Sequence, residues 1–197
     1  MTKLFLYYTI HPTEPSRVLR LRAAADFTGD SAESFTEAEG THGKPYFPSH
    51  PDVHFSVSHT GGIWVCAFAD DEVGCDVQDH RANDKPERLE RLAKRWFSGN
   101  ERRHLAECGY EPAEFYRLWA RKEAYVKFTG DGIGEGKFPE FDVTGTVDGC
   151  VMRDIVLPYG QPHAAAVVCA EEFDVELREL QLSNSIKIHT PKAGGTL

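Results

Sequence analysis

One long helix is the element that the sequence predicts most clearly, and it restricts the folds open to the chain. Residues 112–129 run from a proline to the residue before Gly130, and both are common helix boundaries. Strand-like runs lie on both sides of this helix, at 4–10, 53–58, 63–69, 73–78, 150–157, 164–170 and 174–182. Because these elements do not alternate regularly as βαβ units, the sequence predicts an α+β fold.

Shorter helices and less regular segments complete the predicted order of elements. Further helices are expected at 17–27, 84–98 and 100–108, and a further strand is expected near 141–147. Residues after 183 are poor in apolar side chains, so we expect a flexible tail there.

Composition indicates an ordinary globular protein and excludes several classes. The 197 residues carry a formal net charge of −9, which argues against a general binder of nucleic acid or anionic membrane. Five cysteines without a CxxC pair indicate reduced thiols in the cytoplasm. The first apolar run meets His11 and Pro12 without a cleavage site, so we interpret it as an edge strand and not as a signal peptide. No apolar stretch is long enough to span a membrane.

Segment 81–103 departs from this acidic average. It holds eight Arg and Lys residues and four acidic residues, which gives a local net charge of +4. Such a segment is either a solvated helix face or a docking surface for an acidic partner.

Two separate segments carry residue types that suit a hard cation. In the strand predicted at 73–78, Asp76 and Gln78 share one face, and a carboxylate with an amide oxygen suits Mg²⁺. In the long helix, Trp119, Glu123 and Lys127 are four residues apart and form one stripe. Each pattern has an ordinary alternative, which is a solvated turn for the first and a surface ion pair for the second.

A third candidate element combines a lysine between a glycine and a proline with a histidine near a strand end. Lys44 lies between Gly43 and Pro45, and His59 follows Ser58. Both Lys44 and His59 suit the oxygens of a phosphate. Neither pattern is specific when it is taken alone.

Taken in order, these segments resemble the 4′-phosphopantetheinyl transferases of the surfactin-synthetase-activating (Sfp) type. The family pattern runs GKP, (F/N)xSH(S/T)G, (I/V)G(I/V)D(I/V)E, FSxxE and (F/Y)xxxWxxKE(A/S)xxK. This chain supplies GKP at 43–45, FSVSHTGG at 55–62, VGCDVQ at 73–78, FSGNE at 97–101 and FYRLWARKEAYVK at 115–127. The match is firm over 43–133, and the run at 164–170 resembles the late core strand of the family.

The resemblance implies roles for individual residues. Asp76 and Glu123 are expected to bind Mg²⁺ or Mn²⁺, and Gln78 takes the place where the family usually has a third carboxylate. Glu123 and Lys127 are expected to be the catalytic residues. Contacts to coenzyme A are expected from Lys44, Ser58, His59, Lys127 and one N-terminal arginine, with Arg17 preferred to Arg20 and Arg22.

The resemblance also implies a reaction and its partners. The 4′-phosphopantetheine arm of coenzyme A would pass to a serine of an apo acyl, peptidyl or aryl carrier protein, and adenosine 3′,5′-bisphosphate would leave. Since carrier proteins of this class are acidic, the basic segment 81–103 becomes a candidate docking surface.

The fold implied by the resemblance is a monomeric pseudo-dimer of two similar α+β halves. The first half, 1–72, is expected to contact coenzyme A, and the second, 73–183, to carry the metal and catalytic residues. The active site would lie in the cleft between the halves, and 184–197 would be a flexible tail.

Two alternatives remain open at this stage. Gln78 weakens the expected metal site, which suits a protein that docks carrier proteins without catalysis. A Mg²⁺-dependent hydrolase of nucleotide diphosphates would use the same metal site with water as the acceptor.

Overall fold

The computed structural model describes residues 2–40, 42–81, 84–132, 138–180 and 186–189, and this part of the chain forms a mixed α+β fold. Its helices are α1 (Ser16–Thr28), α2 (Pro86–Trp96), α3 (Gly99–Glu107) and α4 (Pro112–Thr129). Its strands are β1 (Thr2–Ile10), β2 (Ala38–Glu39), β3 (Pro45–Tyr46), β4 (His54–Thr60), β5 (Ile63–Ala69), β6 (Val73–Asp79), β7 (Val151–Asp154), β8 (His163–Cys169), β9 (Phe173–Leu180) and β10 (Ile186–His189). None of these described helices is both long enough and apolar enough to cross a bilayer.

The predicted α+β class is confirmed, and most predicted elements are present with ends shifted by a few residues. The strand expected near 141–147 is wrong, because the described residues between 141 and 150 contain no strand. Two backbone groups of this segment form hydrogen bonds with side chains instead. Lys122 Nζ donates to the carbonyl oxygen of Phe141 at 2.7 Å, and the amide of Val143 donates to Glu101 Oε1 at 2.9 Å. These backbone groups are therefore satisfied without a neighbouring strand.

Part of the predicted tail is also a strand. β10 pairs antiparallel with β9, from Ile186 opposite Leu180 to His189 opposite Leu177. The expectation of a flexible tail therefore does not hold for 186–189. Residues 181–185 and 190–197 lie outside the described residues.

Two sheets pack against each other at the centre of the fold. One has the strand order β10-β9-β1-β5-β4, and the other has the order β6-β8-β7. Alternate residues of their facing strands form one buried apolar cluster, which includes Leu6, Val65, Cys75 and Val167. The first sheet joins distant parts of the chain, since β1 pairs parallel with β9 and antiparallel with β5.

A helix covers the outer face of each sheet. Leu19 and Ala23 of α1 pack with Trp64 and Phe68 of β5. On the other side, Ala120 and Ala124 of α4 pack with the β8 residues Ala166 and Val168. The layers therefore follow the order helix, sheet, sheet, helix.

The contact between α4 and β6 depends on a glycine. A Cβ atom at Gly74 would lie 2.0 Å from the carbonyl oxygen of Ala124 and 2.5 Å from the amide nitrogen of Phe128, which are backbone atoms of α4. Only a residue without a side chain lets the helix backbone approach this closely. Asp76 lies two residues beyond Gly74 on the same face of β6, so this approach brings Asp76 to the helix.

We predict that Gly74→Ala lowers the free energy of unfolding by about 3 kcal/mol or more, because the new methyl group would overlap backbone that cannot rotate away. Denaturant unfolding measures this loss. Gly145→Ala is the matched control, since a Cβ atom there meets nothing within 4 Å. A loss at Gly74 no larger than the loss at Gly145 would contradict the close approach.

Candidate functional site

The carboxylate of Asp76 is the meeting point of three elements. The side chain is 2% exposed. Its Oδ1 accepts hydrogen bonds from Ser58 Oγ of β4 and from Lys127 Nζ of α4, both at 2.6 Å. Its Oδ2 accepts one from Gln78 Nε2 at 2.7 Å. The structure thus brings together Ser58, Asp76, Gln78 and Lys127, four of the residues that the sequence singled out.

Glu123 lies one turn before Lys127 on α4 and is also nearly buried, at 9% exposure. Burial and the negative charge of Asp76 raise the pKa of Glu123 to about 7, while Lys127 opposes this rise. The two carboxylates that were expected to share a metal ion therefore lie within each other's electric field. In this environment Glu123 can hold or release a proton near neutral pH.

Lys127 keeps its proton in this cluster. Burial alone would lower the pKa of its ammonium group, but the negative charges of Asp76 and Glu123 raise it above the ordinary value. The ammonium group therefore supplies a positive charge that is bonded to Asp76 and acts on Glu123.

A cavity of about 400 Å³ opens beside this cluster. Glu123 and Lys127 line one side of it, and the loop at 43–45 with Lys44 lines another. Lys44 is held by an acidic partner, since its Nζ donates to Glu72 Oε2 at 2.5 Å. His54 Nδ1 lies 3.2 Å from the other oxygen of Glu72. The cavity therefore has lysines on two walls, and Glu72 neutralises one of them.

A second cavity, of about 470 Å³, is lined in part by Gln78. Its lining includes Arg81, Leu92 of α2 and Trp119 of α4. The stripe predicted on α4 therefore borders both cavities, with Trp119 at this one and Glu123 and Lys127 at the first.

The remaining predicted coenzyme A contacts lie elsewhere. His59 is exposed and points away from the face of β4 that carries Ser58, because neighbours on a strand alternate. The arginines predicted near the N-terminus have acidic partners: Arg17 and Arg20 bind the two oxygens of Glu37 at 2.7 and 2.6 Å. Arg22 binds Glu14 at 2.6 Å. None of these four residues is among the described lining of either cavity.

A buried ion pair beside the site was missed by the sequence reasoning. Lys122 and Glu101 are both fully buried, and Lys122 Nζ lies 2.9 and 2.8 Å from the two oxygens of Glu101. Glu101 also completes the capping box of α3 with Ser98. The signal was present, since Glu101 ends the FSGNE motif and Lys122 precedes Glu123, but spacing alone does not show that they meet.

The fit of a divalent ion to these residues is partial. Among the described residues, no three His, Cys, Asp or Glu side chains are grouped so that they could hold a metal ion. Asp76 and Glu123 suit a cation, because Mg²⁺ prefers carboxylate oxygens and the negative charge of Asp76 disfavours ionisation of Glu123 unless more positive charge compensates it. Gln78 suits one only after its amide group turns, since its Nε2 and not its Oε1 faces Asp76.

The fold and the site define a class of α+β protein in which a glutamate and a lysine of a helix line a cavity beside a buried aspartate of the neighbouring strand. A family model described as the 4′-phosphopantetheinyl transferase superfamily matches residues 72–172, just over half of the chain. The chain belongs to this superfamily, which confirms the resemblance found in the sequence.

Curated relatives bear the corresponding name. A 4′-phosphopantetheinyl transferase of Bacillus subtilis is 34% identical over 62% of this chain and 54% of the relative. The 4′-phosphopantetheinyl transferase Sfp of Bacillus subtilis (strain 168) is 40% identical over 47% of this chain and 40% of the relative. The 4′-phosphopantetheinyl transferase AcpT of Salmonella typhimurium is 36% identical over 46% of this chain and 47% of the relative. The chain therefore spans about half the length of the curated relatives that it matches.

We predict that the metal-free Glu123→Gln variant becomes more stable relative to the wild type as the pH rises from about 4.5 to about 7. Between these pH values the unfolded chain has released the Glu123 proton while the folded protein still holds it, so the wild type loses stability as the pH rises, and glutamine does not ionise. The gain should be on the order of 3 kcal/mol. Denaturant unfolding near pH 5 and near pH 8 with EDTA measures it.

Glu114→Gln is the control with the opposite sign. Burial raises the pKa of Glu114, but Arg117 and His104 outweigh it and lower the pKa below its ordinary value. The Glu114→Gln variant should therefore lose stability relative to the wild type as the pH rises through the acidic range to about 4.5, and its relative stability should not change further between pH 5 and pH 8. If both variants followed the same pH profile, the assigned environment of Glu123 would be incorrect.

Proposed function

We propose that the protein transfers the 4′-phosphopantetheine arm of coenzyme A to a serine hydroxyl of an apo carrier protein, with release of adenosine 3′,5′-bisphosphate. The observation that carries this proposal is the convergence of Asp76, Glu123 and Lys127 at the edge of a lysine-lined cavity. Membership in the superfamily and the names of the relatives support it.

The residues divide the binding of coenzyme A between them. Lys127 lies beside both carboxylates, and its ammonium group would neutralise charge on the diphosphate. Lys44 would leave Glu72 and bind phosphate oxygens in the same cavity. His59 and Arg17 would reach the nucleotide from the α1 side of the sheet, where Trp64, the cross-strand neighbour of His59, bonds to Ser16 at the start of α1.

Mg²⁺ or Mn²⁺ would be held by Asp76 and Glu123, and it would stabilise the negative charge that builds on the bridging oxygen of the diphosphate. Gln78 would contribute Oε1 after its amide group turns. The proton of the attacking serine hydroxyl would pass to Glu123, through an oxygen that the ion leaves free, or to a metal-bound water beside it. The bond from the serine oxygen to phosphorus forms as the bond from phosphorus to the bridging oxygen breaks.

The acceptor would be an acidic carrier protein that docks along α2. Arg91, Lys94 and Arg95 are exposed on this helix, and Leu92 lines the cavity beside Gln78. A carrier bound here would meet a basic surface next to the place where its serine must enter.

The proposal extends to the molecular organisation. Residues 1–72 and 73–183 would be two related halves of a monomeric pseudo-dimer, which the order helix, sheet, sheet, helix supports. β9 belongs to the second range but pairs with β1, so the two ranges share the first sheet. The protein would act in the cytoplasm, where its five free cysteines stay reduced.

Loss of either carboxylate should abolish transfer. We predict that Asp76→Ala and Glu123→Ala each lower the rate by at least about a hundredfold, while coenzyme A binding weakens only partly, because these groups act on the reacting phosphate. The assay incubates Mg²⁺, coenzyme A and several apo carriers and detects the added arm by mass spectrometry. Glu107→Ala, on the exposed surface of α3, is the control.

The same assay separates the alternatives. Cleavage of coenzyme A without a carrier would indicate the hydrolase, and carrier binding without transfer would indicate the docking protein. Near-normal transfer by either carboxylate variant at saturating Mg²⁺ would contradict the proposed site.

Charge on α2 should control affinity for the carrier. We predict that Arg91→Glu raises the KM for an acidic carrier about threefold to tenfold at low salt and that added salt reduces this difference, since exposed charges are screened. Lys3→Glu is the control, because Lys3 lies on β1 beside Glu176 and lines neither cavity. A KM that depends neither on salt nor on the charge at position 91 would contradict the docking role, and α2 would then be an ordinary solvated helix face.

A further inference from the structure

Strand β6 has an unusual neighbour along one edge. The described part of its sheet ends at β6, which pairs with β8 on one side only. On the other side, the amides of Cys75 and Val77 donate to Ser56 Oγ at 3.0 Å and to Ser58 Oγ at 3.3 Å. Because alternate residues of a strand share a face, the two hydroxyls of β4 match the spacing of the two amides. Side chains of one sheet thus replace a partner strand of the other.

The two serines differ in what else they bind. Ser58 Oγ donates its only hydrogen to Asp76 Oδ1, while Ser56 makes its other contact through its carbonyl oxygen, which accepts from Cys75 Sγ. Ser58 is 7% exposed, and both sides of its hydroxyl are occupied. The resemblance predicted that Ser58 contacts coenzyme A, but its hydroxyl hydrogen is committed to the carboxylate.

The hydrogen bonds divide the two oxygens of Asp76. Ser58 and Lys127 both bind Oδ1, and only Gln78 binds Oδ2. A carboxylate fixed at one oxygen by two donors presents the other in a fixed direction. The movable amide of Gln78 is then the only group between Oδ2 and a ligand among the described contacts.

We propose that Ser58 is a positioning residue that holds Oδ1 of Asp76 so that Oδ2 faces the divalent ion. This inference rests on the proposed function. It means that the serine of the segment Ser58-His59 orients the metal-binding carboxylate, through one hydroxyl group that reaches from the first sheet to β6.

The test compares Ser58→Ala with Ser56→Ala. Each variant removes the acceptor of one β6 amide, so both should lose stability in denaturant unfolding, and Ser58→Ala should lose more because it also removes a donor to the buried carboxylate of Asp76. Only Ser58→Ala should weaken Mn²⁺ binding, by about tenfold or more, as measured by electron paramagnetic resonance of free Mn²⁺ with coenzyme A present. The Mg²⁺ concentration that gives half-maximal transfer should rise in parallel, while the KM for coenzyme A stays the same.

A second pair keeps the test sharp if the alanine variant does not fold. Ser58→Thr retains the hydroxyl group and should bind Mn²⁺ about as tightly as the wild type. Ser58→Val has the shape of threonine without the hydroxyl group and should bind Mn²⁺ more weakly. Equal Mn²⁺ affinity in the hydroxyl and non-hydroxyl variants would overturn the inference. A raised KM for coenzyme A with unchanged Mn²⁺ affinity would overturn it in favour of direct contact with the cofactor.

The outcomes also separate this inference from the proposed function. A wild type that transfers no arm, but whose Mn²⁺ affinity falls in Ser58→Ala, would overturn the transferase and retain the role of Ser58. Normal transfer by the wild type, with the same Mn²⁺ affinity in Ser58→Ala as in the wild type, would retain the transferase and overturn the role of Ser58. A wild type that binds no Mn²⁺ would overturn both.

Discussion

A buried carboxylate that is bonded by donors from two strands and a helix is the constraint on which the site depends. Asp76 is almost inaccessible to water, and an ionised group in that position is tolerated only because Ser58, Gln78 and Lys127 all donate to it. Each donor comes with its own structural requirement. Ser58 requires the first sheet to lie against the free edge of β6, and Lys127 requires α4 to press on the same strand.

The close approach at Gly74 connects this electrostatic requirement to packing. The backbone of α4 contacts β6 at Gly74, where any other residue would place a side chain. This contact sets the distance between β6 and the residues on the facing side of α4. Glu123 is thereby buried against a second negative charge and keeps its proton up to near neutral pH. The packing of α4 on β6 and the electrostatics of Asp76 and Glu123 therefore meet at the same contact.

The sequence predicted the elements well and the site in part. The helix at 112–129 and the strand at 63–69 were predicted with their observed ends, because proline, glycine and periodic apolar residues act locally. The strand near 141–147 was wrong, since the side chains that satisfy that backbone come from Glu101 and Lys122, far away in the sequence. Asp76 and Glu123 were paired through the order of motifs and not through spacing, which gives no distances.

Roles that depend on side-chain direction were the hardest to predict. A hydroxyl group in a strand can serve a ligand or the protein itself, and only the register against β6 shows which atoms Ser58 meets. The same limit applies to Arg17, whose partner Glu37 is not indicated by any local pattern.

The ion pair between Lys44 and Glu72 affects which anions can bind in the first cavity. Glu72 already compensates the lysine, so an incoming anion must compete with an existing attraction, which is modest because this ion pair is exposed to water. A singly charged group exchanges one such attraction for an equivalent one and gains little. A group with several negative oxygens can bind Lys44 and Lys127 together and so compensate for both attractions, to Glu72 and to Asp76, with which it competes. Discrimination by valence can thus arise from a competing side chain, without any change in the shape of the cavity.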